Sequence, residues 1–451
     1  MFTIEEVARL FGFELADSRL ITGVEFDSRK IKAGNLFIPL AGARDGHTFI
    51  QQAIDNGAIA TLWSRQTEQP TGIAVIFVED CLKAMQKIAT FYRTICAPKV
   101  VAITGSNGKT TTKDFTASVL AQAFKTYKTQ GNYNNEIGMP YTILHMPKET
   151  EVLVLEMGMD HAGDLTTLSM IAQPDVAAIT MIGEAHIENL GSREGIAQGK
   201  MEITAGLAAS GHLFVPCDEP LLESLLRSVS QSVTTFGIDA GNLSAHIIEE
   251  QAKQTTFSLN GQQYSIPLLG KYNVKNALIA YGIGSLLGVN AEQIGRGLTN
   301  VKVTQNRTQW LECANGTRIL SDVYNANPTA MGLVLDSFGK LPVQGRRFAV
   351  LADMLELGPQ SSEMHAAMAN HIHENYNGLF LVGEQMDYLA KELTKRGSDI
   401  PLQLYDATEL PALISDLQQL LQPADMLLLK GSNGMKLAEV VAALVPSSSN
   451  E

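Results

Sequence analysis

The chain has 451 residues, which predicts about three domains at roughly 150 residues each. Hydrophobic residues make up 45% and charged residues 18%, a balance typical of folded globular proteins rather than disordered ones. The net charge of -13 argues against a general nucleic-acid or anionic-membrane surface, so any anionic ligand must be bound locally, by loops and individual cations.

The four cysteines are far apart and form no Cys-x-x-Cys pair, which indicates neither a disulfide framework nor a zinc site. Glu5 and Glu6 stand where a secretory signal would be basic. No uninterrupted apolar run approaches the ~18 residues of a membrane span. We therefore expect a soluble protein of a reducing compartment, the cytoplasm.

Residues 1–80 predict a small α/β domain. An amphipathic helix over residues 4–11 is followed by short strands, one of them at residues 35–39. Beside a strand lies the polar cluster Asp27, Ser28 and Arg29. From composition alone an ordinary turn is the favoured interpretation, and an anion-binding basic site is the alternative.

The most informative stretch is residues 100–120. An apolar, β-branched run over residues 100–103 leads into a glycine loop and then a helix. The loop consists of Thr104, Gly105, Ser106, Asn107, Gly108, Lys109, Thr110, Thr111 and Thr112. Inward-facing backbone N–H groups and the positive end of the helix dipole would together hold a phosphate chain.

Within this loop, Lys109 would reach the β- and γ-phosphates and Thr110 would offer its hydroxyl to Mg²⁺. Ile103 stands where the general P-loop pattern has its first glycine, so the loop is shorter than the general form. An ordinary Gly-Lys turn between strand and helix is the alternative interpretation.

Residues 81–312 predict a second domain with a parallel sheet, because strands at 151–156 and 175–180 alternate with helices. An antiparallel hairpin is predicted at residues 255–267 from the Asn260-Gly261 turn signal. A helix over residues 272–287 closes the domain.

Residues 313–451 predict a third, doubly wound α/β domain. Its strands are expected at residues 348–352, 379–382 and 426–429. No Gly-x-Gly-x-x-Gly follows its first strand, so we assign it no dinucleotide. Residues 431–436 echo the glycine loop but predict only a helix-entry turn, and the serine-rich tail at 447–451 is expected to be frayed.

Three polar side chains of the second domain are candidates for chemistry. Glu156 ends an apolar strand at the sheet edge where ligands of open α/β sheets bind, so it could hold Mg²⁺ opposite Thr110. His186 follows another strand, where a structural histidine is the commoner case. Lys200 lies beside an apolar helical stripe, where a lysine usually extends its charged end to solvent; if it is buried instead, its pKa would fall and its neutral amine could react.

Other polar residues predict caps and hinges when taken alone. Asn276 lies near the start of a helix, and Asn327 with Pro328 is a good helix start. His371 and His373 are expected on different faces of a helix, as solvated surface rather than a metal pair.

These residues together resemble one family, the ATP-dependent Mur ligases, over essentially the whole chain. The matching segments are residues 104–112, 131–140, 156–159 and 185–186, Lys200, Asn276, Arg307 and residues 322–328. The resemblance implies an N-terminal UDP-sugar-binding domain, a central ATPase domain and a Rossmann-like C-terminal domain that swings in. It also implies that the short glycine loop is the family's own form.

The family's site residues transfer to the matching positions. Those expected to be catalytic are Lys109, His186 and Lys200. Those expected to bind ATP are Thr104, Gly105, Ser106, Asn107, Gly108, Lys109, Thr110, Thr111, Asn276, Arg307 and Asp322. Those expected to hold two Mg²⁺ ions are Thr110, Glu156, His186 and Lys200, with Lys200 carbamylated. Those expected to bind the other substrates are Asp27, Ser28, Arg29, Asn134, Asn135, Asn325 and Asn327.

Residues 324–328 and 352–358 with His365 resemble the branch that adds D-alanyl-D-alanine to UDP-N-acetylmuramoyl tripeptide through an acyl phosphate. The expected partners are these small molecules and ATP, with no nucleic acid and no membrane insertion. Ser321 is a departure, since the family often has aspartate there. Alternatives are the ligase that adds the third residue, although its Asp-Asn-Pro-Arg motif is absent, a folylpolyglutamate-synthetase-like ligase, or a nucleotide-driven switch or motor ATPase.

Overall fold

The computed structural model describes residues 1–65, 69–304 and 307–446. The described chain contains three large β-sheets that follow one another in sequence, with a small two-stranded sheet at the start. The predicted α/β class with three successive units is confirmed. The tail at residues 447–451, expected to be frayed, lies outside the described residues.

The N-terminal unit carries a four-stranded, all-parallel sheet in the order β3-β4-β5-β6. The strands of this unit are β1 (Phe2–Thr3), β2 (Leu20–Ile21), β3 (Gly23–Glu25), β4 (Asn35–Phe37), β5 (Ala60–Trp63) and β6 (Ala74–Phe77), and its helices are α1 (Ile4–Leu10) and α2 (Ile50–Asp55). The predicted first helix is confirmed. Thr3 and Glu6 start it with a reciprocal capping box.

The central unit contains a nine-stranded sheet in the order β15-β14-β13-β12-β11-β10-β7-β9-β8. Its strands are β7 (Lys99–Thr104), β8 (Thr126–Lys128), β9 (Val152–Glu156), β10 (Val176–Ile179), β11 (His212–Pro216), β12 (Ser232–Ile238), β13 (Leu243–Gln251), β14 (Gln254–Leu259) and β15 (Gln262–Ile266). Its helices are α3 (Cys81–Cys96), α4 (Lys109–Leu120), α5 (Gly138–Leu144), α6 (Asp164–Ala172), α7 (Ile187–Leu190), α8 (Arg193–Met201), α9 (Pro220–Leu226), α10 (Lys271–Leu286) and α11 (Ala291–Thr299).

Strands β7 to β13 pair in parallel, and β14 and β15 add the predicted antiparallel hairpin. Asn260 and Gly261 both have positive φ, as the tight two-residue hairpin turn requires. Residues 100–103 of β7 are all apolar because both faces of the strand are covered there. Val101 and Ile103 pack on the α4 and α10 side, while Val100 and Ala102 pack on the α3 and α6 side.

The C-terminal unit has a six-stranded sheet in the order β16-β17-β21-β18-β19-β20, parallel except for the edge strand β16. Its strands are β16 (Gln309–Glu312), β17 (Arg318–Asp322), β18 (Arg347–Ala352), β19 (Gly378–Val382), β20 (Leu402–Tyr405) and β21 (Met426–Lys430), and its helices are α12 (Pro328–Lys340), α13 (Ser361–Ala367), α14 (Met386–Lys395), α15 (Leu410–Leu420) and α16 (Leu437–Leu444). Short 3₁₀ segments lie at Ser28–Lys30, Gly46–Phe49, Glu202–Thr204, Gly358–Gln360, Met368–His371 and Asn433–Met435.

The helix predicted to carry both His371 and His373 is wrong. A 3₁₀ turn ends at His371, so the two side chains are not separated by a continuing helix. Both contact one carboxylate, because His371 Nδ1 lies 3.1 Å and His373 Nε2 lies 3.5 Å from Asp336 Oδ1 on α12.

The domain limits at 80/81 and 312/313 stay a prediction. Strand β16 already pairs within the C-terminal sheet, and Tyr92 of α3 donates a hydrogen bond to Met146 O of the central unit. No helix among the described residues is both long and apolar enough to cross a bilayer.

The parallel strands β7, β9 and β10 end side by side. Ile103 is paired with Glu156, and Thr104 is paired with Ile179. The glycine loop after β7, the carboxylate of Glu156 and the loop after β10 therefore meet at one edge of the sheet, which is where open α/β sheets bind ligands.

Candidate functional site

The glycine loop joins β7 to α4 with two residues in positive-φ conformations, Gly105 at +142° and Gly108 at +83°. A Cβ on Gly105 would lie 1.9 Å from Thr180 Oγ1, and one on Gly108 would lie 2.5 Å from Asn276 Oδ1. The glycines are thus required both by backbone conformation and by the close approach of two neighbouring side chains.

Lys109 begins α4 and lies against the loop backbone. Its Nζ donates to Gly105 O at 2.8 Å and lies 3.4 Å from Ser106 O. Burial lowers the pKa of Lys109, while the nearby Glu156 carboxylate opposes that shift. The amine is therefore held at the start of the helix, where a phosphate chain bound by α4 would meet it.

Glu156 presents one carboxylate oxygen that has no hydrogen-bond partner among the described residues. Its Oε1 accepts from Asn134 Nδ2 at 2.8 Å, whereas Oε2 is buried and receives no hydrogen bond from that part of the chain. Lys113 Nζ lies 3.8 Å from Oε2, too far for a hydrogen bond. A buried, unbonded carboxylate oxygen at the sheet edge that carries the glycine loop is a ligand of the type that Mg²⁺ prefers.

No group of three or more His, Cys, Asp or Glu side chains that could hold a metal occurs in residues 1–65, 69–304 and 307–446. A site of one carboxylate and one hydroxyl still fits Mg²⁺, which is usually bound by one or two carboxylates together with substrate phosphates and water.

His186 lies across the loop from Lys109, in a left-handed conformation with φ of +62° before α7. Its Nδ1 lies 2.7 Å from Glu356 Oε2 of the C-terminal unit and 3.4 Å from Asp160 Oδ1. Burial lowers the pKa of His186, and the Lys109 and Lys200 charges add to this while the two carboxylates oppose it. A neutral imidazole is the form that can ligate a metal.

Lys200, on α8, is 1% exposed, and its amine forms no hydrogen bond or ion pair within the described residues. Burial lowers its pKa well below the ordinary value, and the charge of Lys109 adds to the shift. The Lys200 side chain is thus buried rather than extended to solvent, which is the condition under which the sequence predicts a lowered pKa and a reactive amine.

A cavity of about 620 Å³ lies between the central and C-terminal units. The predicted residues that line it are Asn107, Gly108, Thr111, Asn276, Arg307, Asp322 and Asn325. Its remaining wall is mixed, with apolar side chains such as Ile238 and Leu333 facing charged ones such as Lys275 and Lys430. A cavity of this size, which opens onto a phosphate loop, can accept a nucleoside.

Arg307 and Asp322 lie where the two units meet. Arg307 Nη2 donates to Thr110 Oγ1 at 3.3 Å, and its guanidinium stacks 4.0 Å from the centre of the Tyr324 ring. Asp322 Oδ1 accepts from Thr308 N, and Oδ2 pairs with Lys430 Nζ at 2.5 Å.

Two contacts join the C-terminal helix α12 to the glycine loop region. Asn107 and Asn327 exchange reciprocal amide hydrogen bonds of 3.0 Å, and Asn327 also caps α12 through Ala330 N. Glu184 accepts from both N and Oγ1 of Thr329. Asn327 is therefore brought to the phosphate loop, 220 residues away in sequence.

Asn325 and Asn135 make local contacts. Asn325 Oδ1 accepts from its neighbour Ala326 N, although the residue lines the cavity. Asn135 Oδ1 accepts from Gly138 N at 2.8 Å and so caps the start of α5. Their expected substrate contacts stay predictions.

The N-terminal cluster lies apart from the cavity. Asp27 pairs with Arg29, which holds the pKa of Asp27 down at about 2, and Ser28 Oγ donates to Gln52. Glu25, at the end of the preceding strand, accepts from Tyr141 Oη of α5 at 3.0 Å. The N-terminal unit therefore contacts the central unit through Glu25, two residues before Asp27.

The sequence prediction missed several residues of the site. Lys113 and Asp114, both 1% exposed, follow Lys109 and Thr110 by one helical turn, and that spacing was the available signal. Lys430 directly precedes residues 431–436, whose sequence resembles the glycine loop, and that position was the available signal for it. Nothing in the sequence marks Glu184 or Thr180 as neighbours of the loop.

Three family models match successive parts of the chain. The Mur ligase family catalytic domain matches residues 20–93, the Mur ligase middle domain matches residues 103–284, and the Mur ligase glutamate ligase domain matches residues 306–433. A UDP-N-acetylmuramoyl-tripeptide–D-alanyl-D-alanine ligase of Bacillus subtilis is 38% identical over 99% of this chain and 98% of its own length. The chain belongs to the Mur ligase family.

Solved Mur ligases have the same architecture. MurF from Acinetobacter baumannii superposes with a TM-score of 0.88 at 29% identity, covering 98% of each chain. MurF from Thermotoga maritima, solved in complex with ADP, gives a TM-score of 0.83 at 26% identity over 95% of this chain and 98% of that one. The family resemblance inferred from the sequence is thereby confirmed.

Proposed function

We propose that this Mur ligase joins D-alanyl-D-alanine to a UDP-N-acetylmuramoyl tripeptide at the cost of ATP. The proposal is supported most by the 38% identity over the full length to a relative of that name. In this chain the phosphate loop and a buried Glu156 oxygen lie at one sheet edge, and the buried Lys200 is near enough to Lys109 for the charge of Lys109 to lower its pKa. UDP-linked precursors and ATP are cytoplasmic metabolites, so we place the enzyme in the cytoplasm.

The reaction divides into two steps. The terminal carboxylate of the tripeptide attacks the γ-phosphorus of ATP, ADP leaves, and an acyl phosphate forms. The amino group of D-alanyl-D-alanine then attacks the acyl carbon, loses a proton, and inorganic phosphate leaves from the tetrahedral intermediate. Such chemistry depends mainly on positioning and on neutralising charge.

Lys109 and Arg307 supply the protein's positive charge to the phosphates. Lys109 extends from the loop, and Arg307, now 3.3 Å from the Thr110 hydroxyl, is within reach of a γ-phosphate bound there. The backbone of residues 104–111 would hold the remaining phosphate oxygens. Asn276 and Asp322, which line the cavity, would meet the nucleoside.

The residues fit two Mg²⁺ ions. Thr110 and Glu156 would hold one, and His186 with Lys200 would hold the other. Bound Mg²⁺ would neutralise the charge that develops between the carboxylate and the γ-phosphate. Lys200 can serve as a ligand after its neutral amine adds CO₂ and loses a proton, because the resulting carbamate is an anionic oxygen donor.

The other substrates would lie on either side of this edge. Asp27, Ser28 and Arg29 would bind the uridine end in the N-terminal unit. Asn134 and Asn135 would lie beside the tripeptide carboxylate, and Asn325 and Asn327 beside the incoming dipeptide. Asn327 contacts Asn107 of the loop directly, which supports a place at the reaction centre.

The test measures ADP release and product mass with ATP, UDP-N-acetylmuramoyl tripeptide and D-alanyl-D-alanine, each omitted in turn. We expect release that requires all three, and at least a ~100-fold lower kcat in Lys109→Ala. Lys391→Ala, an exposed lysine of α14, is the control and should retain activity. Turnover that ignores the tripeptide and the dipeptide would instead identify a switch or motor ATPase.

The same assay separates related ligases. Replacing D-alanyl-D-alanine by glutamate or by diaminopimelate, with the corresponding acceptor, tests a folylpolyglutamate-type ligase and a ligase for the third residue. Activity only with glutamate or only with diaminopimelate would overturn the proposal. Tripeptides ending in lysine and in diaminopimelate should both be offered, since they differ by one carboxylate.

A further inference from the structure

A buried carboxylate on the phosphate-loop helix holds the segment that leads into the C-terminal unit. Asp114 of α4 is 1% exposed, and its Oδ2 accepts from both N and Oγ1 of Thr304 at 2.8 Å. Its Oδ1 accepts from Lys128 Nζ at 2.5 Å and lies 3.6 Å from Lys113 Nζ. A buried carboxylate with three donors, one of them charged, is a strong and well-defined attachment point.

The attached segment carries Arg307. Thr304 precedes Arg307 by three residues, and Arg307 donates to the Thr110 hydroxyl at 3.3 Å. Thr110 and Asp114 are four residues apart on α4 and so share one face of the helix. The helix that begins at the phosphate loop therefore contacts this segment at two points, about one turn apart.

The distances make this attachment relevant to the reaction. Three residues span at most about 10 Å, and one helical turn rises about 5.4 Å. With Thr304 fixed at Asp114, the Arg307 backbone cannot move far from the phosphate end of α4, whatever the C-terminal unit does. Holding a long cationic side chain near its target in advance lowers the entropy lost when it binds an anion.

We propose that Asp114 is a positioning residue that acts through Thr304 to keep Arg307 within reach of the γ-phosphate of ATP. This inference rests on the proposed function, because it assigns Arg307 to ATP. Lys113 and Lys128 balance the charge of Asp114 and of Glu156, which lies 3.8 Å from Lys113. The phosphate-loop helix thus organises both the loop before it and the arginine that enters from the following segment.

The first test compares Thr304→Val with Thr304→Ser, since only serine keeps the hydroxyl donor to Asp114. We expect about tenfold weaker binding of a non-hydrolysable ATP analogue and a similar loss of kcat/KM for ATP in the valine variant. The KM for the UDP-tripeptide and the melting temperature should change little, and the serine variant should resemble wild type. Equal behaviour of the two variants would overturn the inference.

Thr116→Val is the matched control on the same helix. Thr116 is buried, and its hydroxyl has no hydrogen-bond partner within residues 1–65, 69–304 and 307–446, so its loss should leave nucleotide binding unchanged. If Thr304→Val unfolds, Asp114→Asn, which keeps the shape and removes the charge, takes its place in the same comparison. A nucleotide affinity equal to wild type in a folded Asp114→Asn would also contradict the inference.

A double-mutant cycle tests whether the effect passes through Arg307. In an Arg307→Ala background, Thr304→Val should weaken analogue binding no further, because the side chain being positioned is gone. A full additional tenfold loss would mean that Thr304 acts independently of Arg307 and would refute the proposal. Since analogue binding needs neither the tripeptide nor the dipeptide, this result is separate from the outcome for ligase activity.

Discussion

At the scale of single residues, Lys200 combines burial, a lowered pKa and the absence of a hydrogen-bond or ion-pair partner within the described chain. If it acts as a carbamate, Lys200→Ala should lose most activity and regain part of it with added short-chain carboxylic acids, which can occupy the space of the lost group. The measurement is the rate of ADP release against acetate and propionate concentration.

Two comparisons make the rescue specific. Lys391→Ala should be active and indifferent to the acids, since that lysine is exposed on α14. Lys109→Ala should be inactive with or without them, because its role is a positive charge. Full activity of Lys200→Ala without any acid would exclude the carbamate.

The same lysine predicts a pH dependence of stability. Burial lowers the pKa of Lys200 in the folded state below the ~10.4 of an unfolded lysine, so between the two values the unfolded chain binds more protons. Stability conferred by this position therefore rises with pH across that window. In CO₂-free buffer, we expect the melting temperature of wild type to rise relative to that of Lys200→Met between pH 7 and pH 10. If the melting temperatures of the two proteins changed in parallel with pH, the lowered pKa of Lys200 would be contradicted.

The role of a residue could be predicted where a local sequence motif indicates it. It could not be predicted where the role depends on burial by distant segments. Lys109 and Thr110 could be assigned from the glycine loop before them. Lys113 and Asp114 offer only their spacing of one helical turn from these residues, and adjacent opposite charges on a helix normally indicate a solvated face. Here they are 1% exposed because Lys128 and Thr304, from two other segments, cover them.

At the scale of elements, the glycine loop depends on close packing as well as on φ. Gly105→Ala would place a Cβ 1.9 Å from Thr180 Oγ1 at a φ of +142°, so we expect lost nucleotide binding and a melting temperature lowered by several degrees. Gly163→Ala is the control. It has a φ of +92° but open space around its Cβ, and should cost only a small backbone strain with nucleotide binding intact.

Elements were predicted well when their ends carry strong turn chemistry. The Asn260-Gly261 hairpin and the strand–loop–helix at β7 and α4 are as expected from local sequence. The helix expected around His371 was wrong, because it ends there without a glycine or proline in the sequence to mark the end. The two histidines then meet Asp336 on α12, a contact that only the folded chain defines.

At the scale of the whole molecule, the contacts between units were beyond prediction from sequence. Asn107 and Asn327 are 220 residues apart, and Glu184 and Thr329 are 145 apart. Each residue alone has an ordinary local explanation as a loop residue or a helix cap. Their pairing arises because the sheet edges of the central and C-terminal units face each other across the 620 Å³ cavity.

This interface predicts how readily the C-terminal unit opens. Asn327→Asp keeps the oxygen that caps α12 at Ala330 N but loses the amide donor to Asn107 Oδ1 and places a negative charge beside it. At ~1 kcal/mol per hydrogen bond, the ratio of closed to open molecules should fall about fivefold, seen as a larger radius of gyration by X-ray scattering. Asn290→Asp changes a residue that caps α11 by accepting from Gln293 N within the central unit, and it should leave the radius unchanged. An unchanged radius in Asn327→Asp as well would show that the amide pair does not hold the units together.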